Sequence, residues 1–186
     1  LKEGVAITVN GATGEIFSAT GNKTIEVKKD NGFDPNEEIK TATKVYINLA
    51  EPELAQKEAG RASDGIGLLR AEFMMAGIGT HPKKMIRDGK KKEFVANLAE
   101  NLEQFCNAFN PRPVVYRASD FKTNEYRNLI GGKEFEPIES NPMLGYRGAF
   151  RYMHDPEVFE LELEAIKYVR EKLNLKNLWL MLPFVR

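Results

Sequence analysis

Three arginines stand where a small anion could be held: Arg70 after the run GIGLL, Arg117 after PVVY, and Arg147 in ESNPMLGYRGAF. A guanidinium is always charged and presents a planar fork of donors that matches carboxylate and phosphate oxygens two at a time. Three of them facing one space suit a small ligand that bears both groups. Acids accompany them: Glu72 two residues after Arg70, then Asp120 and Glu125 in the string RASDFKTNEY that runs on from Arg117. Each arginine therefore has a second use, a structural ion pair, because charged side chains are seldom buried without a partner. Residue types alone leave both uses open.

Other chemistry is less well supported. The 27 basic residues balance the 27 acidic ones, so anion binding must come from a local cluster, and neither nucleic acid nor an anionic membrane is an expected partner. Lys90, Lys91 and Lys92 carry no interleaved aromatics and read as a solvated helix face. The single cysteine, Cys106, rules out an intramolecular disulfide or a cysteine-rich zinc site and reads as a small buried hydrophobe. His81 and His154 could be bases, but neither follows an apolar strand run, and His154 beside Asp155 reads as part of a helix cap. The glycines of SDGIGLL precede or lie within a strand rather than open a helix, unlike a dinucleotide fingerprint. With no run near the roughly 18 apolar residues of a membrane span and no signal-peptide pattern, a soluble cytoplasmic protein is expected.

The elements that must position the arginines follow from periodicity. Residues 1–20 alternate around Asn10-Gly11 and read as a β-hairpin, and the polar stretch 21–43 reads as a linker. Strands are expected over 44–50, 65–70, 112–118 and 178–185, each a short apolar run and the first rich in β-branched and aromatic residues. Between them come a short helix begun by Pro52 and a long one over 88–109 with Phe94, Leu98, Leu102, Phe105 and Phe109 on one face. A third helix, capped at Asp155-Pro156, carries Val158, Leu161, Ile166, Val169 and Leu173. Strands alternating with helices predict an α/β fold with parallel strands, open or closed, and in both forms ligands sit at the strands' carboxyl ends.

Read in order, DGIGLLRAEFM, VYRASDFKTNEYRNLIGG, NPMLGYRGAFRY and LMLPFVR resemble the phosphoenolpyruvate synthase (pyruvate, water dikinase) group of PEP-utilising enzymes. The resemblance runs from about Thr43 to Arg186, and ITVNGATGEIF looks like the last strands of that family's swivelling phosphohistidine domain. The string with SDFK and NEY is the discriminating one. The Arg70–Glu72 pair and NPMLGYRG are shared with pyruvate phosphate dikinase and enzyme I of the sugar phosphotransferase system.

The resemblance implies the first half of a (β/α)8 TIM-type barrel over 44–186 that binds phosphoenolpyruvate or pyruvate. It implies that ATP charges a histidine on the mobile domain, which passes its phosphoryl group to pyruvate and yields phosphoenolpyruvate, AMP and phosphate. By motif, Arg70, Arg117 and Arg147 take the substrate-binding roles, with Glu72, Asp120 and Glu125 orienting them from behind. The phosphohistidine turn and the Mg2+ ligands have no match here; the ligands are expected beyond Arg186, and Cys106 inherits no role. Four strands are half of a closed barrel. The chain is thus expected either to pair with another copy or to be a piece of a longer protein, inactive alone. The alternative parents, the dikinase and enzyme I, and a non-catalytic self-associating module remain open.

Overall fold

A computed structural model of the chain describes residues 7–11, 13–18 and 41–185, which fall into two units divided between Asp34 and Pro35. In the first unit, β1 (Ile7–Val9) and β2 (Ile16–Ser18) pair antiparallel with Val9 opposite Ile16. The hairpin is the one the alternation predicts. Its turn is longer than Asn10-Gly11: it is closed by the Asn10 amide on the Glu15 carbonyl at 2.9 Å, with Gly14 at φ 74°. The expected linker lies outside the described residues as far as Lys40.

The second unit is built on a parallel sheet of β3 (Ile47–Leu49), β4 (Ile66–Arg70), β5 (Val114–Arg117) and β6 (Leu178–Met181), side by side in chain order. All four expected strands are present, each shorter than its apolar run. A monotonic order matters, because right-handed crossovers then place every connecting helix on the same face. Doubly wound sheets reverse their order and cover both faces. The arrangement is compatible with a partial α/β barrel.

One face is packed by α1 (Ala55–Ala59), α4 (Lys91–Phe109) and α8 (Glu157–Lys167), the last continued by a π-helical turn over Tyr168–Lys172. The α4 stripe of Phe94, Leu98, Leu102, Phe105 and Phe109 is fully buried, as its spacing requires. It meets Leu161 and Ala165 from α8, Val169 from the π-helical turn, and Ile66, Leu69, Val114 and Tyr116 from the strands in one core. On β6, Trp179 is 61% exposed, so the other face is open there.

Several short helices were not evident from periodicity: α2 (Ala71–Ile78), α3 (Pro82–Arg87), α5 (Thr123–Tyr126), α6 (Gly132–Phe135) and α7 (Gly148–His154). Four of them are under two turns, too brief for a 3.6-residue pattern to repeat. The cap expected at Asp155-Pro156 is absent. Pro156 is the N-cap residue of α8 without a side-chain bond, and the Asp155 carboxylate is drawn away into an ion pair with Lys83.

Candidate anion-binding site

Arg70 and Arg117 are the last residues of β4 and β5 and are direct register partners. Parallel neighbours in register send their side chains to the same face, about 4.8 Å apart at the backbone. Like charges on neighbouring strand ends repel, so the pair needs negative charge between or beside it. Part of it is supplied by α2, which starts immediately after Arg70. Glu72 in its first turn meets Arg117 Nη2 at 3.0 Å through Oε1.

Arg70 is treated differently. It has no carboxylate within ion-pair distance among the described residues, and its guanidinium lies 4.8 Å from the centroid of the Phe73 ring. The Nε atoms of both Arg70 and Arg117, and Oε2 of Glu72, are buried with no hydrogen-bond partner among the described residues. Donors of two adjacent cations are thus left uncommitted at the carboxyl end of the sheet.

Asp120 ties in the third arginine. Its backbone N–H donates to Glu72 Oε1 at 2.7 Å, and its carboxylate receives Arg147 Nε at 2.9 Å and Nη2 at 2.7 Å. Arg117 Nη1 approaches the same carboxylate at 3.8 Å. The hydrogen bonds to Asp120 raise the Arg147 pKa above its ordinary value. Arg147 immediately precedes α7, and its guanidinium also stacks 4.1 Å from the Phe184 ring centroid. The residue after it must be glycine. Gly148 has φ 58°, and a Cβ there would lie 2.7 Å from the Pro183 carbonyl oxygen. Arg117, Glu72, Asp120 and Arg147 therefore form one continuous network, with Arg70 beside it on the adjacent strand end.

The SDFK–NEY string mostly builds the loop that carries this network. Phe121 stacks on Tyr126 with ring centroids 4.3 Å apart, and Thr123 donates to Glu139 at 2.7 Å. Glu139 in turn accepts the Tyr146 N–H at 2.9 Å and so anchors the NPMLGYRG segment. Glu125 makes no hydrogen bond or ion pair with the three arginines among the described residues, though its charge helps raise the Arg147 pKa: it pairs with Lys122 Nζ at 2.5 Å and accepts the Lys122 backbone N–H at 3.0 Å, closing the first turn of α5. Its orienting role was expected beside Arg117; its contacts are with Lys122.

Buried acids and bases that the sequence did not single out are Glu162, Tyr116, Glu136 and Arg151. Glu162 on α8 is fully buried and accepts from Tyr116 Oη at 2.7 Å, from the Ser119 N–H at 2.9 Å, and from the Ser119 hydroxyl. Desolvation pushes its carboxyl up to about 7. Burial and then the Glu162 charge push the Tyr116 phenol well above its ordinary value, so it stays a donor. Farther out, Glu136 receives Arg151 Nη1 at 2.6 Å and Nη2 at 2.8 Å and lies 2.9 Å from His81 Nε2. His81 Nδ1 accepts the Lys83 N–H at 3.1 Å, so its proton sits on Nε2 and is donated to Glu136. Burial opposes ionisation of Glu136, but the hydrogen bonds from His81 and Arg151 outweigh it and hold the carboxyl below its ordinary value. His81 is thereby a structural residue, starting α3. His154, the last residue of α7, lies 3.2 Å from Tyr146 Oη rather than capping α8. Burial pushes the Cys106 thiol up to about 12, which makes it unreactive.

No cluster of three or more His, Cys, Asp or Glu side chains able to hold a metal ion occurs among the described residues. No helix among them is long and apolar enough to cross a membrane.

Residues 27–186 match the family described as PEP-utilising enzyme, PEP-binding domain. The whole chain aligns with a probable phosphoenolpyruvate synthase of Staphylothermus marinus at 42% identity, covering 24% of that protein. It aligns with the phosphoenolpyruvate synthase of Aeropyrum pernix at 44% identity over 24% of its length, and with that of Neisseria meningitidis at 38% over 26%. The chain spans about a quarter of the length of these relatives. With its parallel sheet, arginines at the strand ends and a match over most of its residues, the chain belongs to the PEP-utilising enzyme family, within the PEP-binding domain.

Proposed function

We propose that this chain is part of a phosphoenolpyruvate synthase and supplies three arginines, Arg70, Arg117 and Arg147, to the site that binds phosphoenolpyruvate or pyruvate. The observation that carries this reading is the pair Arg70 and Arg117, in register at the ends of adjacent parallel strands, with Arg70 lacking any carboxylate partner among the described residues. A ligand with a carboxylate and a phosphate supplies the missing charge. In the phosphoryl transfer, charge spreads over the phosphoryl oxygens, and guanidinium groups fixed by Glu72 and Asp120 stabilise it without having to reorganise.

In the longer protein, the donor is a histidine phosphorylated from ATP on a swivelling domain, and the hairpin of residues 7–18 is the last part of that domain. On this reading the Mg2+ ligands lie elsewhere in that protein, and the chain alone is inactive. Transfer to pyruvate, giving phosphoenolpyruvate, AMP and phosphate, is the reaction of the whole.

Calorimetric titration of phosphoenolpyruvate into this chain, with and without Mg2+, tests the reading. Saturable binding that Arg70→Ala and Arg117→Ala each weaken by a factor on the order of 100 is the expected result. Binding unchanged by both substitutions would overturn it.

A further inference from the structure

The placement of Arg117 and Asp120 is controlled from outside the rim. Tyr116 and Ser119 bracket Arg117 in sequence, and both are held by the same carboxylate, Glu162 of α8. Successive side chains of a strand point to opposite faces, so fixing Tyr116 against the helices aims Arg117 away from them. Ser119 is held at every polar group: its N–H and hydroxyl by Glu162, and its carbonyl by Tyr152 Oη of α7 at 2.5 Å. The next residue is Asp120, whose carboxylate takes Arg147 at two points.

Glu162 also sits in the middle of an apolar stripe, between Leu161 and the Ala165–Ile166 pair. Any aliphatic side chain would fill that place with less desolvation cost than a carboxylate. A fully buried acid that spends its acceptors on Tyr116 and Ser119, one on either side of Arg117, is suited to positioning. We propose that Glu162 is a positioning residue: by holding Tyr116 and Ser119 it sets the arginine pair formed by Arg117 and, through Asp120, Arg147. The inference deepens the phosphoenolpyruvate reading and rests on it for the ligand, but the geometric relation can be measured without ligand.

The test compares the wild-type chain with Glu162→Gln, Ser119→Ala and, as a control, Glu160→Gln at an exposed position of the same helix. Arginine side-chain Nε–H resonances are recorded by NMR, and phosphoenolpyruvate affinity by calorimetry. Glu162→Gln and Ser119→Ala are expected to move the Arg117 and Arg147 resonances and to weaken binding on the order of tenfold, while Glu160→Gln leaves both as in wild type. If Glu162→Gln does not fold, Ser119→Ala carries the comparison, since it removes one hydroxyl only. Unmoved arginine resonances with wild-type affinity in the folded variants would overturn the inference. Should the wild-type chain bind no phosphoenolpyruvate, the ligand reading fails, and the resonances alone decide: movement upholds the positioning role and its absence ends it.

Discussion

The Asp120 carboxylate grips the Arg147 guanidinium at two points, 2.9 and 2.7 Å, in a site where Asp120 is 3% exposed and Arg147 7%. A pair this buried is costly to leave half-made, because the surviving charge stays desolvated. Removing one partner of such a pair typically destabilises by about 3–5 kcal/mol. Asp120→Ala is therefore expected to lower the unfolding free energy of the chain by an amount in that range, read from urea titration. Arg147→Lys keeps the charge but loses the fork, and a smaller loss is expected. A loss below about 1 kcal/mol for Asp120→Ala would show that the pair is not held in solution as it is here.

Two buried carboxyls give opposite pH dependences. The Glu162 carboxyl is pushed from its ordinary 4.5 to about 7 by burial, so the folded state holds that proton more tightly than the unfolded chain. Its contribution is complete below 4.5 and is lost as the pH rises through about 7, roughly 2 to 3 kcal/mol between pH 5 and 8. The Glu136 carboxyl is held below its ordinary 4.5, so its contribution is present above that value and is lost as the pH falls. Unfolding titrations of wild type and Glu162→Gln at pH 5 and pH 8 separate the two. The difference between the proteins is expected to shift against wild type at the higher pH, and parallel curves would contradict the Glu162 assignment.

Gly148 gives a purely steric prediction. Alanine there combines a left-handed φ of 58° with a Cβ 2.7 Å from a backbone carbonyl oxygen, which has no flexible end to move aside. Such a position is expected to cost about 2 kcal/mol or more. Because Arg147 precedes it, the strain should also be visible at the Arg147 Nε–H resonance. A Gly148→Ala chain of wild-type stability would show that the backbone at the start of α7 adapts.

What was legible in the sequence, and what was not, follows from range. The α4 stripe is a local repeat of large apolar residues, so Phe94 to Phe109 could be read without knowing the fold. The strand ends at Arg70 and Arg117 were readable for the same reason, since an apolar run that stops on a charge is a local event. The partners of those arginines were only partly readable. Glu72 and Asp120 lie within three residues of an arginine, and both join the network. Glu125, eight residues on from Arg117, turns to Lys122 instead, accepting its backbone N–H in the first turn of α5. Glu162 and Glu136 act over 43 and 15 residues, on Ser119 and Arg151. A sign of Glu162 was present: it is a charge inside the stripe formed by Leu161, Ala165, Ile166 and Val169, where a solvated acid has no place. Glu136 sits in an irregular segment and offered none.

The sharpest division between a ligand site and a structural ion network comes from comparing Arg70 with Arg117. Arg117 is bound to Glu72 at 3.0 Å and approaches Asp120 at 3.8 Å, so Arg117→Ala leaves Glu72 without its ion-pair partner and Asp120 with Arg147 alone. Its removal is expected to reduce stability as well as ligand affinity, and a loss of binding alone would be ambiguous. Arg70 has a cation–π contact with Phe73 and no acid partner among the described residues. Removing it relieves the repulsion between neighbouring strand ends, so Arg70→Ala is expected to leave unfolding free energy within about 1 kcal/mol of wild type or to raise it. Its affinity for phosphoenolpyruvate is nevertheless expected to fall by a factor on the order of 100, the effect of one charge-assisted pair. A stable Arg70→Ala chain that still binds as tightly as wild type would mean that the cation is held at the strand end for some reason other than this anion.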